Sequence, residues 1–393
     1  MTAGLTSLMA AYVLSQFYRA FLAVMAPTLT QELGVTPADL AISSGLWFLS
    51  FALMQWPVGA ALDKVGPRLT ASLLLGLCGA GGAVVFALAQ GPWALHVAMF
   101  LIGIGCAPVL MAAYYIFARV YSQKVFGLLA GFAVAAGSLG NIAGTTPLVW
   151  VNNLVGWRAT MGGLGGLTLF VSLAIAVFMR DPDPVDHGRR QSGTMAEVLA
   201  IRALWPIVVM MLVVYAPSAA IRGLWLGPYL HSVFGTDSLG IGHAALVMGL
   251  AMVAGSFLLG PVDRLVGSLK WGIFGASALS ALSLALIAAF PASGYWTATV
   301  LMAVQGFFGA TYPALMSHGR RFLPPHLIGR GVSFINMFAI GGAGLLQFAS
   351  RPVYQQASSL GDPADTFRLL FMFFLAPLLV GLAVYLFSRD DRV

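Results

Sequence analysis

The stretch Gly59-Ala-Ala-Leu-Asp-Lys-Val-Gly-Pro-Arg68 places a compact group of charges between two long apolar runs. A shorter version, Gly260-Pro-Val-Asp-Arg-Leu-Val-Gly267, returns in the second half of the chain, again between apolar runs. Glycines follow the same repeat, because Gly140 and Gly342 occupy equivalent places in the two halves. The sequence therefore contains an internal repeat, which predicts that its two halves have a similar fold.

The composition is that of a membrane protein. Of the 393 residues, 59% are hydrophobic and only 8% are charged, whereas soluble domains carry about 25% charged residues. The net charge of +7 is spread over short loops, so it does not predict nucleic-acid binding. Cys78 and Cys106 both lie in apolar runs, and no metal-ligand spacing, nucleotide-binding loop or nucleophile triad occurs. We therefore expect no cofactor, no metal and no enzymatic activity.

Twelve apolar runs are long enough to cross the roughly 30 Å hydrocarbon core of a bilayer. They fall at residues 5–29, 39–62, 69–90, 93–118, 125–151, 159–179, 203–230, 239–262, 270–291, 294–317, 328–355 and 367–387. We predict an all-α polytopic membrane protein with twelve transmembrane helices in two six-helix, pseudo-symmetric bundles. The predicted domains are residues 1–180, a cytoplasmic linker at 181–200, and residues 201–393.

Lysine and arginine in the loops predict the orientation, because short cytoplasmic loops carry an excess of positive charge. One set of loops carries only Arg158, Arg351 and Arg368. The other set and the C-terminus carry Lys64, Arg68, Arg119, Lys124, Arg180, Arg189, Arg190, Arg202, Arg264, Lys270, Arg320, Arg321, Arg330, Arg389 and Arg392. We expect a multi-pass, monomeric protein of the inner membrane, with the linker and both termini in the cytoplasm.

The Gly59–Arg68 loop resembles the signature Gly-x-x-x-Asp-Arg/Lys-x-Gly-x-Arg of the major facilitator superfamily. The glycine-rich fifth run and the tripeptide Gly156-Trp157-Arg158 are also similar to that superfamily. The resemblance covers essentially the whole chain and implies a transporter that works by rocker-switch alternating access. It also implies that loop charges latch the cytoplasmic side shut in one state. The latch residues expected on this basis are Asp63, Arg68, Arg119, Asp263 and Arg264.

An arginine lies near the middle of the first apolar run. An arginine at the bilayer centre costs roughly 2.5–3.5 kcal/mol on insertion scales, so Arg19 is expected to have a function. Tyr12, Gln16 and Arg19 are spaced i, i+4, i+7 and share one helix face. The seventh run repeats the pattern, with Tyr215 seven residues before Arg222. We expect the rest of the chain to point these two faces at each other.

The carboxylates indicate what neutralises these arginines. Every Asp and Glu lies in a loop or at a helix end, and no apolar run carries one at its centre. Arg19 and Arg222 therefore create a positive cavity that has no obvious counter-ion in the protein. Because the planar guanidinium matches phosphate and carboxylate bidentately, the missing partner is predicted to be an anionic substrate.

The paired arginines resemble those of the organophosphate:phosphate antiporters and wider anion transporters of the superfamily. There, helices one and seven each offer an arginine with tyrosines on neighbouring turns, as Arg19 and Arg222 do here. Two departures favour a singly charged carboxylate over a phosphorylated metabolite, although both substrate classes stay open. Helix two has no lysine, and Tyr114 and Tyr115 stand where the branch often has a histidine.

Other polar and aromatic residues of the apolar runs complete the predicted pocket. Tyr114, Tyr115, Trp225, Tyr312 and Asn336 are added to Tyr12, Gln16, Arg19, Tyr215 and Arg222 as substrate-binding candidates. Trp47, Trp225 and Tyr229 are interpreted as apolar walls, while Asn141, Gln305 and Gln347 either contact substrate or join helices. His243 and His318 are the candidates for a proton carrier.

The sequence thus predicts a secondary transporter of a small organic anion, working by antiport. Its partners are the anion and the lipid bilayer, with no nucleic acid. Two alternatives stay open. One is an exporter of neutral or amphiphilic compounds with structural arginines, and the other is a metabolite sensor that does not transport.

Overall fold

The structure, a computed structural model, describes residues 2–121, 123–182, 195–260, 262, 266–324, 327–359 and 361–390. Every regular element among them is helical. Asp263, Arg264 and most of the predicted linker lie outside the described residues, as does the side chain of Asp63, so their predicted roles stay predictions.

The first six helices follow the predicted apolar runs. We label them α1 (Thr2–Ala20, continued by Leu22–Leu33), α2 (Pro37–Lys64), α3 (Pro67–Leu74, the π-helix Leu75–Ala80 and Gly81–Ala87), α4 (Pro92–Val120), α5 (Gln123–Ala143 and Thr146–Val155) and α6 (Trp157–Phe178). Proline opens three of these segments at a position where its missing N–H has no helical partner to lose.

Six further helices follow a short helix at Met195–Ala200 and a 3₁₀ turn at Arg202–Leu204. They are α7 (Trp205–Val214, Ala216–Ala220, the π-helix Ile221–Trp225 and Leu226–Phe234), α8 (Ser238–Leu259), α9 (Leu269–Ala289), α10 (Tyr295–Gly309 and Tyr312–Arg321), α11 (Ile328–Ser358) and α12 (Pro363–Tyr385).

The predicted twelve-helix, all-α membrane fold is confirmed. In the described part of the chain, ten of the predicted spans are long and apolar enough to cross a membrane. An eleventh is α1, which bends by 54° after Ala20. Pro27 lies in the second segment and has no N–H for the Ala23 carbonyl one turn earlier. The twelfth, α5, is divided between Ala143 and Thr146.

Two compact units make up the chain. One contains Met1–Asp186 with Ser238–His243, and the other contains His187–Asp237 with Ala244–Val393. The first unit therefore includes α1 to α6 and the beginning of α8, and the second includes α7, the rest of α8, and α9 to α12.

Both units contain the same tight helix crossing. In the first unit a Cβ on Gly140 of α5 would lie well under 3.0 Å from the Val13 carbonyl oxygen of α1. In the second unit a Cβ on Gly342 of α11 would lie equally close to the Leu212 carbonyl oxygen of α7. Only glycine permits this approach, so the two glycines found by the sequence repeat occupy equivalent packing positions.

Basic side chains bind the free carbonyls at helix ends, and they do so in both units. Arg158 at the start of α6 donates to the carbonyls of Ala87 and Ala89 at 3.0 and 2.7 Å. Arg368, at the start of α12, donates to the carbonyl of Ala288 at 3.3 Å. These bonds satisfy the last carbonyls of α3 and α9, which have no partner within their own helices.

The opposite ends of the same helices are held in a similar way. The Arg68 backbone N–H donates to Asp181 at 2.7 Å, and its Nε donates to the Ala176 carbonyl at 2.6 Å. Lys270 donates to the carbonyls of Leu386 and Ser388 at 2.8 and 2.7 Å. The described bonds of Arg68 thus join α3 to the end of α6 within one unit, and its predicted latch role stays a prediction.

Candidate functional site

Arg19 lies between the bend of α1 and the aromatic face of α2. Its guanidinium carbon is 5.0 Å from the ring centroid of Trp47 and 4.9 Å from that of Phe51. The two rings stack, with centroids 5.2 Å apart and planes at 21°. Cation–π contacts of this kind hold a guanidinium without using its N–H donors. The arginine is therefore fixed in place while its hydrogen-bonding capacity is kept.

Two N–H donors in this group are buried without a hydrogen-bond partner among the described residues. They are the Nε of Arg19 and the indole Nε1 of Trp47. A buried donor left unsatisfied costs roughly 1–3 kcal/mol, so native structures seldom keep one without a reason. Two unsatisfied donors side by side are typical of a binding site in which a ligand supplies the hydrogen-bond acceptor.

Gln16 and Tyr12 lie on α1 about one and two turns before Arg19, respectively. The Gln16 amide donates to the Tyr12 hydroxyl at 2.5 Å. Gly137 of α5 makes room for them, since a Cβ there would collide with the Tyr12 ring and lie 3.1 Å from Gln16 Cγ. Tyr114 of α4 is close enough to interact electrostatically with Tyr12. The structure thus brings four of the predicted residues of the first unit together: Tyr12, Gln16, Arg19 and Tyr114.

Tyr115 is placed with a predicted latch residue. The guanidinium carbon of Arg119, near the end of α4, lies 4.2 Å from the Tyr115 ring centroid. This contact occupies one face of the ring that we had expected to bind substrate. Tyr115 thus lies beside Arg119, and its role in substrate binding stays a prediction.

Arg222 occupies an irregular turn of α7. Residues Ile221–Trp225 form a π-helix, a geometry that is frequent at functional sites. Pro217 and Pro228 flank it, and each lacks the N–H that a regular α-helix needs. Arg222 is buried, at 7% exposure. A Cβ on Gly249 of α8 would lie 3.5 Å from Arg222 Nε, so α8 presents backbone to the arginine.

Three predicted residues of the second unit form a chain of contacts next to Arg222. Tyr215 lies near the arginine, on the same helix. The Tyr215 and Tyr312 rings are 6.2 Å apart, and the Tyr312 hydroxyl donates to Asn336 Oδ1 at 2.5 Å. α7, α10 and α11 therefore contribute Tyr215, Arg222, Tyr312 and Asn336 to one neighbourhood.

Trp225 and Tyr229 lie in the packed interior of the second unit. Both are completely buried. The Trp225 indole donates to Ser350 Oγ at 3.2 Å and packs against Tyr354, while the Tyr229 hydroxyl donates to the Pro291 carbonyl at 2.6 Å. These contacts do not by themselves support a role for the two residues as cavity walls, and that role stays a prediction.

The buried glutamines differ from each other. Gln305 of α10 donates through Nε2 to Ser218 at 3.1 Å and thereby joins α10 to α7. Gln347 of α11 is fully buried, and neither its Nε2 nor its Oε1 has a hydrogen-bond partner among the described residues. Gln305 is thus an interhelical contact, whereas Gln347 keeps both its donor and its acceptor available.

The two histidines lie in different surroundings. His318 is buried, with Nδ1 at 2.7 Å from the Tyr385 hydroxyl and Nε2 at 3.1 Å from the Arg389 carbonyl. Because a carbonyl only accepts, Nε2 carries the proton and Nδ1 accepts from the tyrosine. His243 lies near the beginning of α8, and its side chain is exposed. A proton-carrying role stays a prediction for both residues.

Comparison with protein families decides the class of the chain. The family model of the Major Facilitator Superfamily matches residues 8–346. The chain belongs to this superfamily. It is therefore a multi-pass membrane transporter rather than an enzyme, and the family predicted from the loop signature is confirmed.

Individual relatives are distant. A putative tartrate transporter of Agrobacterium vitis is 22% identical over 366 residues, which cover 86% of this chain and 80% of the relative. A probable L-galactonate transporter of Escherichia coli K12 is 25% identical over 286 residues, which cover 66% and 61%. The crystal structure of a bacterial homologue of the human lysosomal transporter Spinster superposes with a TM-score of 0.77 at 17% identity, covering 98% and 96%. This structural likeness supports the fold.

The sequence analysis does not predict Phe51 as a site residue, and it predicts Trp47 only as an apolar wall of the pocket. The available signal was spacing, because Trp47 and Phe51 are four residues apart and share a face of α2. Aromatic residues at that spacing are common in membrane helices, so spacing alone did not distinguish a cation-binding face from a lipid-facing one.

Proposed function

We propose that this protein is a secondary transporter of a small organic anion bearing a carboxylate, with Arg19 and Arg222 as its anion-binding residues. The observation that carries the proposal is Arg19 itself. It lies within a membrane span, held by two aromatic rings, and its buried Nε has no acceptor among the described residues. A guanidinium kept charged and ready to donate in this place is suited to bind an anion.

The described carboxylates support this proposal by their positions. Glu32 accepts a hydrogen bond from Trp157 at the end of α1, and Asp39 accepts from the backbone of Thr36 at the beginning of α2. Asp365 pairs with Arg368 in the first turn of α12. None of these three is near the middle of a span, so none is placed to neutralise Arg19 or Arg222.

The relatives also favour carboxylates. Tartrate and L-galactonate, the compounds in the names of two relatives, are hydroxylated carboxylates. The hydroxyls and amides around the arginines, on Tyr12, Gln16, Tyr215, Tyr312 and Asn336, match the hydroxyl groups of such a substrate. We propose that these side chains orient the substrate while the arginines bind its charge, and that transport proceeds by alternating access.

The test is uptake and binding with purified protein in liposomes. We expect saturable uptake of labelled tartrate or L-galactonate, and weaker competition by a sugar phosphate. Arg19→Lys and Arg222→Lys keep the charge but lose the planar fork. Each should weaken binding at least tenfold, equivalent to about 1.4 kcal/mol.

Arg158→Lys serves as the matched control, because this arginine binds backbone carbonyls at a helix end. It should lower the melting temperature and leave the Kd unchanged. Normal binding by both Arg19→Lys and Arg222→Lys would refute the proposal. Export of neutral or amphiphilic compounds without carboxylate binding would support the exporter alternative, and binding without flux would support the sensor.

A further inference from the structure

Two buried tryptophans, one in each unit, differ in the state of their indole N–H. Trp225 is fully buried and donates to Ser350. Trp47 is 1% exposed, and its Nε1 has no hydrogen-bond partner among the described residues. An indole has a single N–H donor and no acceptor, so this one N–H either has a hydrogen-bond partner or is left unsatisfied. Trp47 is the one of this pair whose donor the described protein leaves unused.

The surroundings of Trp47 hold its ring in a fixed position. Its indole stacks on Phe51 and meets Phe48 edge to face, with centroids 5.2 and 4.9 Å apart. The backbone is fixed as well, because α4 packs so closely that a Cβ on its Gly103 would collide with the Trp47 carbonyl oxygen. A ring held in this way cannot turn to find another acceptor at little cost. Its N–H is therefore preorganised.

Trp47 and Arg19 are in direct cation–π contact. The Arg19 guanidinium carbon lies 5.0 Å from the Trp47 ring centroid, and the Nε of Arg19 is the second buried donor without a partner among the described residues. A carboxylate has two oxygens and accepts several hydrogen bonds, so it can satisfy both donors together. The indole of Trp47 is buried, and charge-assisted hydrogen bonds are stronger away from bulk water.

We propose that Trp47 is a substrate-binding residue, and that its indole N–H donates to the carboxylate that Arg19 binds. This inference rests on the proposed function and adds a neutral donor to it. The indole is neutral, so it adds a hydrogen-bond donor to the site without changing the net charge of the site. The site therefore favours ligands with an oxyanion that can accept hydrogen bonds from a guanidinium and an indole at the same time.

The experiment compares Trp47→Phe with Trp225→Phe, since both replace a buried indole by a smaller ring that has no N–H. We expect Trp47→Phe to raise the Kd for sodium tartrate or L-galactonate at least tenfold, equivalent to about 1.4 kcal/mol. Phenylalanine still offers a face to Arg19, and no hydrogen bond of the described protein is lost. Trp225→Phe removes the bond to Ser350, so it should lower the melting temperature more and leave the Kd unchanged.

A double-mutant cycle tests whether the two donors share one acceptor. If they do, Arg19→Lys and Trp47→Phe together should weaken binding less than the sum of their separate effects. Unchanged Kd in Trp47→Phe, while Arg19→Lys still weakens binding, would overturn this inference alone. A loss of stability in Trp47→Phe as large as that in Trp225→Phe would overturn it too, since it would reveal a structural partner. No carboxylate binding by the wild type would overturn the proposed function and this inference with it.

Discussion

Gly140 lies so close to Val13 that the smallest side chain would collide with the neighbouring helix. A Cβ at Gly140 would be well under 3.0 Å from the Val13 carbonyl oxygen. Gly342 and Leu212 repeat this relationship equally closely in the second unit. Each crossing brings the helix that carries an intramembrane arginine into backbone contact with a glycine-rich neighbour.

We therefore predict that Gly140→Ala and Gly342→Ala each lower the melting temperature clearly, because a Cβ contact under 3.0 Å forces the backbones apart. Gly163→Ala is the control. It lies in α6, where an added methyl group would meet no atom within 4 Å, so this change should be neutral or slightly stabilising. Thermal unfolding of the three variants in the same detergent measures the difference. Equal melting temperatures would show that the crossings are looser than described.

The second prediction concerns the link between α3 and the end of α6. Asp181→Ala removes the acceptor of the Arg68 backbone N–H, and Arg68→Ala removes the donor to the Ala176 carbonyl. Each bond is exposed, so we expect a modest loss of stability, on the order of 1 kcal/mol. Substrate Kd should not change in either variant.

Transport rates distinguish this structural role from the predicted latch. A latch residue alters the balance between inward-open and outward-open states, whereas a structural anchor alters the free energy of unfolding. Slow transport at normal stability in Arg68→Ala would favour the latch. Cysteine accessibility at both ends of the protein measures that balance directly.

Much of the fold could be predicted because it depends on local properties of the chain. The length of an apolar run determines whether it can span the membrane. Glycine at a repeated position indicates close helix packing, and Gly140 and Gly342 are two such positions. The bend after Ala20 and the π-helix around Arg222 were not predicted. Both are irregularities of backbone geometry, which depend on tertiary packing that local sequence patterns do not specify.

The candidate site was predicted only in part for a related reason. Charge in an apolar run is conspicuous, so Arg19 and Arg222 could be selected from sequence. Trp47 could not be separated from Trp225, since both are tryptophans in apolar runs. Trp225 makes an indole hydrogen bond to Ser350, whereas Trp47 makes none to the described residues. This difference depends on which side chains the fold places beside each ring.

The third prediction compares two fully buried glutamines, Gln305 and Gln347, by replacement with methionine, which has nearly the same shape and no amide. Gln305→Met removes a donor from Ser218 and should lower the free energy of unfolding by about 1 kcal/mol. Gln347→Met removes an amide whose two polar atoms have no described partner, so it should leave stability unchanged or raise it. Chemical unfolding or melting curves measure both. A destabilised Gln347→Met variant would indicate a partner that the described residues do not supply.

The last prediction concerns coupling. Proton-coupled carriers need a group in the membrane that gains and loses a proton, and buried carboxylates usually supply it. In the described chain, Asp39 is held in a capping box by Thr36 at the start of α2, and Asp365 pairs with Arg368. His318 already donates to the Arg389 carbonyl, so protonating it would require Nδ1 to give up the hydrogen bond it accepts from Tyr385.

These positions favour exchange, in which the substrate anion itself neutralises the arginines and an empty carrier reorients slowly. We expect unlabelled substrate inside liposomes to accelerate labelled uptake strongly at equal pH on both sides. A pH gradient without internal substrate should drive little accumulation. His318→Gln should lower stability, because it disturbs the contact with Tyr385, but it should leave counterflow per folded molecule unchanged. Strong gradient-driven accumulation into empty liposomes, abolished by His318→Gln at normal stability, would instead identify His318 as a proton carrier and refute exchange.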